Sequence, residues 1–163
     1  DSIVTGKIKE LSGYSYHQRE KTVDNSRIDI YLANHEDDCC GMNFLTDSCY
    51  VEVKGVTLIV GDEARFPDAP TERGAKHLKE LIKLKKEGNR CCVFFLIQHL
   101  AGKFFRPNWE NDPNFSKTLN EAYNAGVEIL VYRCDNRLDG IDLIPESLDF
   151  DLAQSLPDSI VND

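Results

Sequence analysis

No apolar run in these 163 residues approaches the roughly 20 needed to cross a bilayer. The first residues also lack the basic-then-apolar order of a signal peptide, so a cytoplasmic protein without membrane contact is expected. An excess of positive charge is missing too. Lys and Arg number 19 against 28 Asp and Glu, a formal net charge of -9. Such a chain is not drawn wholesale to nucleic acid, and any such binding needs a local basic face or a bridging metal ion. The six cysteines, Cys39, Cys40, Cys49, Cys91, Cys92 and Cys134, contain no Cys-x-x-Cys pair. Adjacent cysteines rarely bridge each other, and reduced thiols acting as small hydrophobes are expected. Internal repeats, low-complexity linkers, a dinucleotide-binding glycine motif and a Ser-His-Asp set are absent as well, which removes repeat arrays and the commonest hydrolase and oxidoreductase signatures. The chain does not begin with Met and reads as a segment of something longer.

What is present is ordinary for one globular domain: 41% hydrophobic and 29% charged residues. Ile3, Val4, Ile8 and Leu11 have helix-like spacing, with Gly13 as a stop. Tyr14 to Val23 reads as a strand, Asp24-Asn25-Ser26 as a turn, and Arg27 to Leu32 as a second strand, making a hairpin. In that second strand Ile28, Ile30 and Leu32 alternate against Asp29 and Tyr31. Asn34 to Ser48 is acidic and turn-rich, a loop. Its cluster His35, Glu36, Asp37, Asp38, Cys39 and Cys40 has metal-ligand chemistry but matches no standard zinc spacing. Tyr50 to Leu58 alternates as a third strand, and Gly61 to Pro70 is a loop anchored by Phe66 and Pro67. Glu72 to Glu87 has helical period at Ala75, Leu78, Leu81, Ile82 and Leu84, with Gly88 as cap. Cys91 to Ile97 is a continuous apolar strand of the doubly buried kind. Asp112-Pro113 opens a helix running to about Ala125, and Gly126 stops it. Val127 to Arg133 and Gly140 to Ile144 are further strands. The order is helix, three strands, helix, strand, helix, strand: an α/β sandwich with a mixed sheet.

The chemistry concentrates on the third strand. Val51 and Val53 share one face, Glu52 and Lys54 the other. A carboxylate and an amine side by side on a stiff strand can bind a metal ion and help activate water. They can equally be a solvated pair on a strand face. Because sequential strands usually neighbour each other, Asp29 and Glu52 are expected to converge, with Lys54 two residues beyond and Glu20 as a further ligand. Two carboxylates suit a hard cation, Mg²⁺ or Mn²⁺, that keeps positions open for water and phosphate. On the helix, Arg73, Lys76, Lys79, Lys83, Lys85 and Lys86 oppose only Glu72, Glu80 and Glu87, a reversal of sign that suits a polyanion. A charged helix face is also often merely solvated. His77, one turn after Arg73, either faces the same site or is a satisfied, half-buried histidine. Thr71 reads as a cap for this helix. Gln98 and His99 end the apolar strand near the site edge or simply as polar strand ends. Trp109 reads as a loop anchor.

Asp followed by Glu-x-Lys on adjacent strands between helices resembles the PD-(D/E)xK nuclease superfamily. The longer pattern is more specific: Gly13-Tyr14, Glu20, Ser26-Arg27-Ile28-Asp29, Tyr50-Val51-Glu52-Val53-Lys54, Thr57-Leu58, Phe66 through Gly74, His77-Leu78 and Gly126-Val127-Glu128. From about residue 3 to 150 it is similar to the sugar fermentation stimulation protein (SfsA) family. That resemblance implies an αβββαβ restriction-endonuclease-like core with a mixed central sheet flanked by helices, over residues 1–150; the acidic tail at 151–163 extends past the resemblance. It implies a DNA-binding protein, sequence-nonspecific, linked to regulation of sugar and notably maltose use. It points to Glu20, Asp29, Glu52 and Lys54 as the nuclease-like set, Asp29, Glu52 and Glu20 being the metal ligands. Arg73, Lys76, His77 and Lys79 are the candidate nucleic-acid contacts. Two functions stay open: a Mg²⁺- or Mn²⁺-dependent DNA phosphodiesterase, or a non-catalytic DNA-binding or interaction domain with a vestigial metal site. The family's N-terminal domain resembling an OB-fold has no counterpart in this stretch, and the Asn34 to Ser48 loop is longer and richer in cysteine than the family pattern.

Overall fold

The computed structural model describes residues 2–34, 48–137 and 140–154. The His35 to Cys40 cluster, most of the Asn34 to Ser48 loop and most of the acidic tail lie outside the described residues. Over the described residues the architecture is mixed α/β: a six-stranded mixed sheet, a small three-stranded sheet and two helices. The strands of the large sheet are β1 (Tyr16–Val23), β2 (Ser26–Ala33), β3 (Ser48–Val56), β6 (Arg90–Ile97), β8 (Glu128–Arg137) and β9 (Gly140–Leu143), in that spatial order. β1, β2 and β3 pair antiparallel, β3 runs parallel to β6, β6 runs parallel to β8, and β9 is antiparallel at the far edge. Helices α1 (Glu72–Lys86) and α2 (Pro113–Asn124) make the crossovers into β6 and β8. Crossovers of this kind are what parallel neighbours require.

Both helices start where the sequence signals place them. Thr71 caps α1 by accepting a hydrogen bond from the Gly74 N–H at 2.9 Å. Asp112 caps α2 by accepting from the Phe115 N–H at 2.8 Å, and its other oxygen accepts from the Thr71 N–H at 2.7 Å. One buried carboxylate therefore ties the two helix starts together. Gly74 is needed there: a Cβ on it would come within 3.2 Å of the Phe115 ring. Leu78, Leu81 and Leu84 of α1 and Phe115, Leu119 and Ala122 of α2 pack onto Cys91, Val93, Phe95 and Ile97 of β6, forming the larger core.

Three expectations are corrected. Ile3 to Leu11 is not a helix; the segment holds only a 3-10 turn at Lys9–Leu11. Gly6, at φ +72°, and the lack of a side-chain cap at Ile8 remove what a helix would need, and Ile3, Ile8 and Leu11 are buried instead as an apolar strip on the sheet. An ion-paired network fastens this strip. Arg90 grips Glu128 through two bonds of 2.7 and 2.8 Å and reaches the Glu10 carbonyl at 2.8 Å, while the Tyr132 hydroxyl donates to the Glu10 carboxylate at 2.6 Å. Second, the Gly61 to Pro70 loop contains a strand. β4 (Leu58–Val60) and β5 (Glu63–Phe66) form a hairpin, and β5 pairs in parallel with β7 (Phe104–Pro107), which periodicity does not reveal. Phe66 is an anchor, its ring 5.1 Å from that of Phe115. Third, β2 does not keep one alternation: Ile28 joins the core under the helices, whereas Ile30 and Leu32 join the core under the N-terminal strip. The change of face falls at Asp29. The chain stays packed past residue 150, since the Asp151 N–H donates to the Phe105 carbonyl at 3.0 Å and Leu152 is buried.

Candidate metal and nucleic-acid site

The pairing of β2 with β3 ends at Ile30 opposite Val51. The next residues in that register are Asp29 and Glu52, and there the two strands part. Glu20 of β1, which would oppose Asp29 on the other side, is also skipped by the ladder and has φ +53°. The Val53 N–H, which a regular neighbour would take with a backbone carbonyl, instead donates to Asp29 Oδ2 at 2.8 Å. A side chain thus replaces a rung of the sheet, satisfying a backbone donor that could not stay unpaired.

Glu52 is only 1% exposed, which removes the solvated-pair alternative. It lies on the helix face of β3, between Tyr50 and Val56, both on the larger core. Its Oε1 accepts from Lys54 Nζ at 2.6 Å and is bonded to His77 Nδ1 of α1. Its Oε2 is buried with no hydrogen-bond partner among the described residues. An ionised carboxylate in so dry a position requires such compensation. Burial pushes the Asp29 carboxyl above its ordinary value, with the Val53 hydrogen bond opposing and the nearby Glu52 charge reinforcing the rise. Asp29, Glu52, Lys54 and His77 therefore form one electrostatic cluster.

Glu20 does not join it: the side chain is 69% exposed and accepts from Arg27 Nη1 at 3.1 Å. Glu20 and Asp29 both line a cavity of about 580 Å³ on the opposite sheet face, whose walls include Val53, Phe94 and Leu96. His77 is 5% exposed and turned into the protein, where its ring also borders an open groove. That groove, of about 870 Å³, lies between the β1–β2 turn and the start of α1, with Arg27, Arg73 and Lys76 on its walls beside Asp24 and Glu72. Lys76 Nζ donates to the Asn25 carbonyl at 3.2 Å, and Lys83 bonds Asp24. Arg73, Lys76 and Lys79 are exposed on the outer face of α1. Gln98 packs its amide over Gly55, next to Lys54 in the chain; a Cβ on Gly55 would meet it at 2.7 Å. Trp109 donates from Nε1 to the Leu152 carbonyl at 3.1 Å, an anchoring role. Among the described residues, no group of three His, Cys, Asp or Glu side chains forms a ready metal cage. No described helix is long and apolar enough to cross a membrane.

The family model described as the sugar fermentation stimulation protein RE domain matches residues 1–140. The chain belongs to this family. A sugar fermentation stimulation protein homolog of Methanobrevibacter smithii is 79% identical over 154 residues, covering 94% of this chain and 64% of that relative. One from Thermoanaerobacter sp. is 53% identical over 135 residues, 83% of this chain and 54% of the relative. Among solved structures, Pyrococcus furiosus SfsA in complex with Ca²⁺ superimposes with a TM-score of 0.79 at 32% identity, over 92% of this chain and 61% of that one. The chain thus spans between about half and two thirds of the length of these relatives. Sequence reasoning missed the Glu52–His77 bond. Its signal was available: His77 sits one residue before Leu78, on the buried stripe of α1, rather than among the exposed lysines.

Proposed function

We propose that this SfsA-family domain has the restriction-endonuclease-like αβββαβ core, with its first helix reduced to a turn, and that it is a Mg²⁺- or Mn²⁺-dependent DNA phosphodiesterase. The observation that carries the reading is Glu52: buried, held through one oxygen, with an unpartnered Oε2 and a charge that acts on Asp29. Those are oxygen donors, as a hard cation demands, and Mg²⁺ is commonly held by one or two carboxylates with water and substrate phosphate filling the rest. The Asp29 oxygen not bonded to Val53 and Glu52 Oε2 would be the protein ligands; Glu20, spent on Arg27 at the surface, stands outside the set. A bound divalent ion would polarise the phosphoryl oxygens and lower the pKa of attacking water. The chain's own contribution is placement. β3 fixes Glu52 and Lys54 on one face, and Lys54 puts a positive charge where phosphate charge would develop. Arg73, Lys76 and Lys79 on α1 supply phosphate contacts that carry no sequence information, so binding is sequence-nonspecific. The Ca²⁺ complex of the Pyrococcus furiosus relative supports a hard-cation site, and the relatives' name supports a link to sugar use.

The test is incubation of plasmid and single-stranded DNA with Mn²⁺, with Lys54→Ala in parallel. Cleavage by the wild type and loss in the variant are expected. Equal cleavage by both, or none by the wild type, overturns the catalytic reading. A second reading, DNA binding without cleavage, is favoured by one contact: the Lys54 ammonium is held on Glu52 rather than free toward a water. It predicts salt-dependent DNA binding that weakens when Lys76 and Lys79 are neutralised.

A further inference from the structure

Two bonds to one oxygen of Glu52 leave the other oxygen alone. Lys54 approaches from two residues along β3, whereas His77 approaches from α1, a different element. Lys54 reaches Oε1 on a flexible four-carbon stem and restrains the rotation of the carboxylate less than a ring on a packed helix does. The His77 side chain is such a ring, because Ala75, Leu78 and Leu81 beside it seat α1 firmly in the core. Nothing else in the described residues bonds Oε2, although it is buried where an unsatisfied carboxylate oxygen is costly.

We infer that His77 is a positioning residue of the cation site: by holding Oε1 of Glu52 from helix α1, it presents Oε2 to the ion. This rests on the divalent-cation reading above. The arrangement is the carboxylate counterpart of outer-shell support at metal centres, in which the supporting side chain never touches the ion yet sets its affinity. His77 is therefore not a nucleic-acid contact, and its exposed neighbours Arg73 and Lys76 are the groups placed to meet phosphate.

The test uses the whole chain and Mn²⁺ alone, with affinity read by calorimetry at one fixed pH and metal-free melting read beside it. In His77→Asn, the side-chain amide nitrogen falls near the position of Nδ1 and keeps a donor for Glu52. In His77→Leu the donor is gone at similar bulk. Mn²⁺ affinity is expected to fall about 10- to 100-fold in His77→Leu, the range for outer-shell losses. It is expected to return to within about threefold of wild type in His77→Asn, on that same scale. Wild-type affinity in a folded His77→Leu overturns the positioning role and leaves the cation site standing. Equal loss of affinity in both variants also overturns it, since a purely structural role does not distinguish an amide from an alkyl group. If His77→Leu does not fold, the Asn variant decides alone: affinity near wild type sustains the role and a large loss overturns it. Absence of Mn²⁺ binding by the wild type overturns the cation site and the role together.

Discussion

Breaking the Glu52–Lys54 pair should cost at least as much as removing it entirely. Glu52 is 1% exposed and the Lys54 side chain 14%, so each charge relies on the other at 2.6 Å rather than on water. Glu52→Gln keeps the shape and leaves the Lys54 ammonium without its direct counter-charge. Lys54→Met keeps the stem and leaves Glu52 with His77 alone. Removing one partner of a buried pair typically costs about 3–5 kcal/mol, of which the lower end, about 3, applies here because Asp29 or His77 stays close. With a urea slope of about 2 kcal/mol per molar, each single variant should lower the midpoint by about 1.5 M. Melting should fall by about 6–12 °C, at about 2–4 °C per kcal/mol for a domain of this size. The double variant leaves neither charge stranded and should be no worse than the worse single variant, a coupling of about 3 kcal/mol. Urea unfolding of all four proteins in chelator measures this directly. Strictly additive losses, about 6 kcal/mol in the double variant, would refute the idea that the two act as one buried unit. The double variant should also be inert toward Mn²⁺. A stable but inert protein would identify the pair as kept for chemistry at a cost to stability.

Four further outcomes follow from contacts elsewhere in the fold. Asp112→Ala removes acceptors from the Phe115 and Thr71 N–H groups at once, so unfolding free energy should drop by about 2–4 kcal/mol, read by urea denaturation, at 1–2 for each lost cap bond. Glu128→Gln weakens the two-bond grip on Arg90 that holds the N-terminal strip; amides of Ile8 and Leu11 should exchange faster while those of α1 keep their rates. Burial pushes the Cys49 and Cys91 thiols up to about 12 from an ordinary 9, so native protein at pH 8 should resist iodoacetamide that rapidly labels these two in urea. The sign for stability runs downward with rising pH. Between about 9 and 12 the unfolded thiols lose protons that the folded ones keep, so the urea midpoint should fall across that window.

Strands and helices with one clear period were legible in the sequence because one physical cause dominates each. Leu78, Leu81 and Leu84 recur at helical spacing, and Asp112-Pro113 announces its own helix start. Cys91 to Ile97 is apolar throughout because it is buried on both faces. Reading failed where two causes compete. Ile3, Ile8 and Leu11 are spaced like a helix, but they are apolar because a sheet covers them, while Gly6 frees the backbone from helical form. β5 and β7 are four residues each and stabilised by pairing across a long sequence gap, which no local pattern records. At the site, the closeness of Asp29 to Glu52 was readable from strand adjacency. The partner of Glu52 was not, since His77 reaches it from an element 25 residues away.

The position of the cluster follows from topology. β3, like β8 farther along the sheet, is antiparallel to one neighbour, here β2, and parallel to the other, here β6. Antiparallel and parallel ladders bond with different spacing, and the βαβ crossover draws α1 over only one side of that junction. Where two strands stop pairing, backbone donors are released that side chains must satisfy. Here the separation is visible residue by residue. The β2–β3 ladder stops at Ile30 and Val51, Asp29 turns its carboxylate to cap the orphaned Val53 N–H, and β2 changes face. A neutral side chain could cap that N–H without burying charge. The choice of Asp29 opposite Glu52 instead sets two carboxylates on neighbouring strands, near enough for the Glu52 charge to act on Asp29, where burial already disfavours the charge on Asp29. Mutual repulsion in such a place is relieved most directly by a cation. That is why the metal-free fold should gain stability from Asp29→Asn while losing Mn²⁺ affinity. The opposite result, a destabilised variant that still binds the ion, would mean that Asp29 is kept for the Val53 hydrogen bond alone.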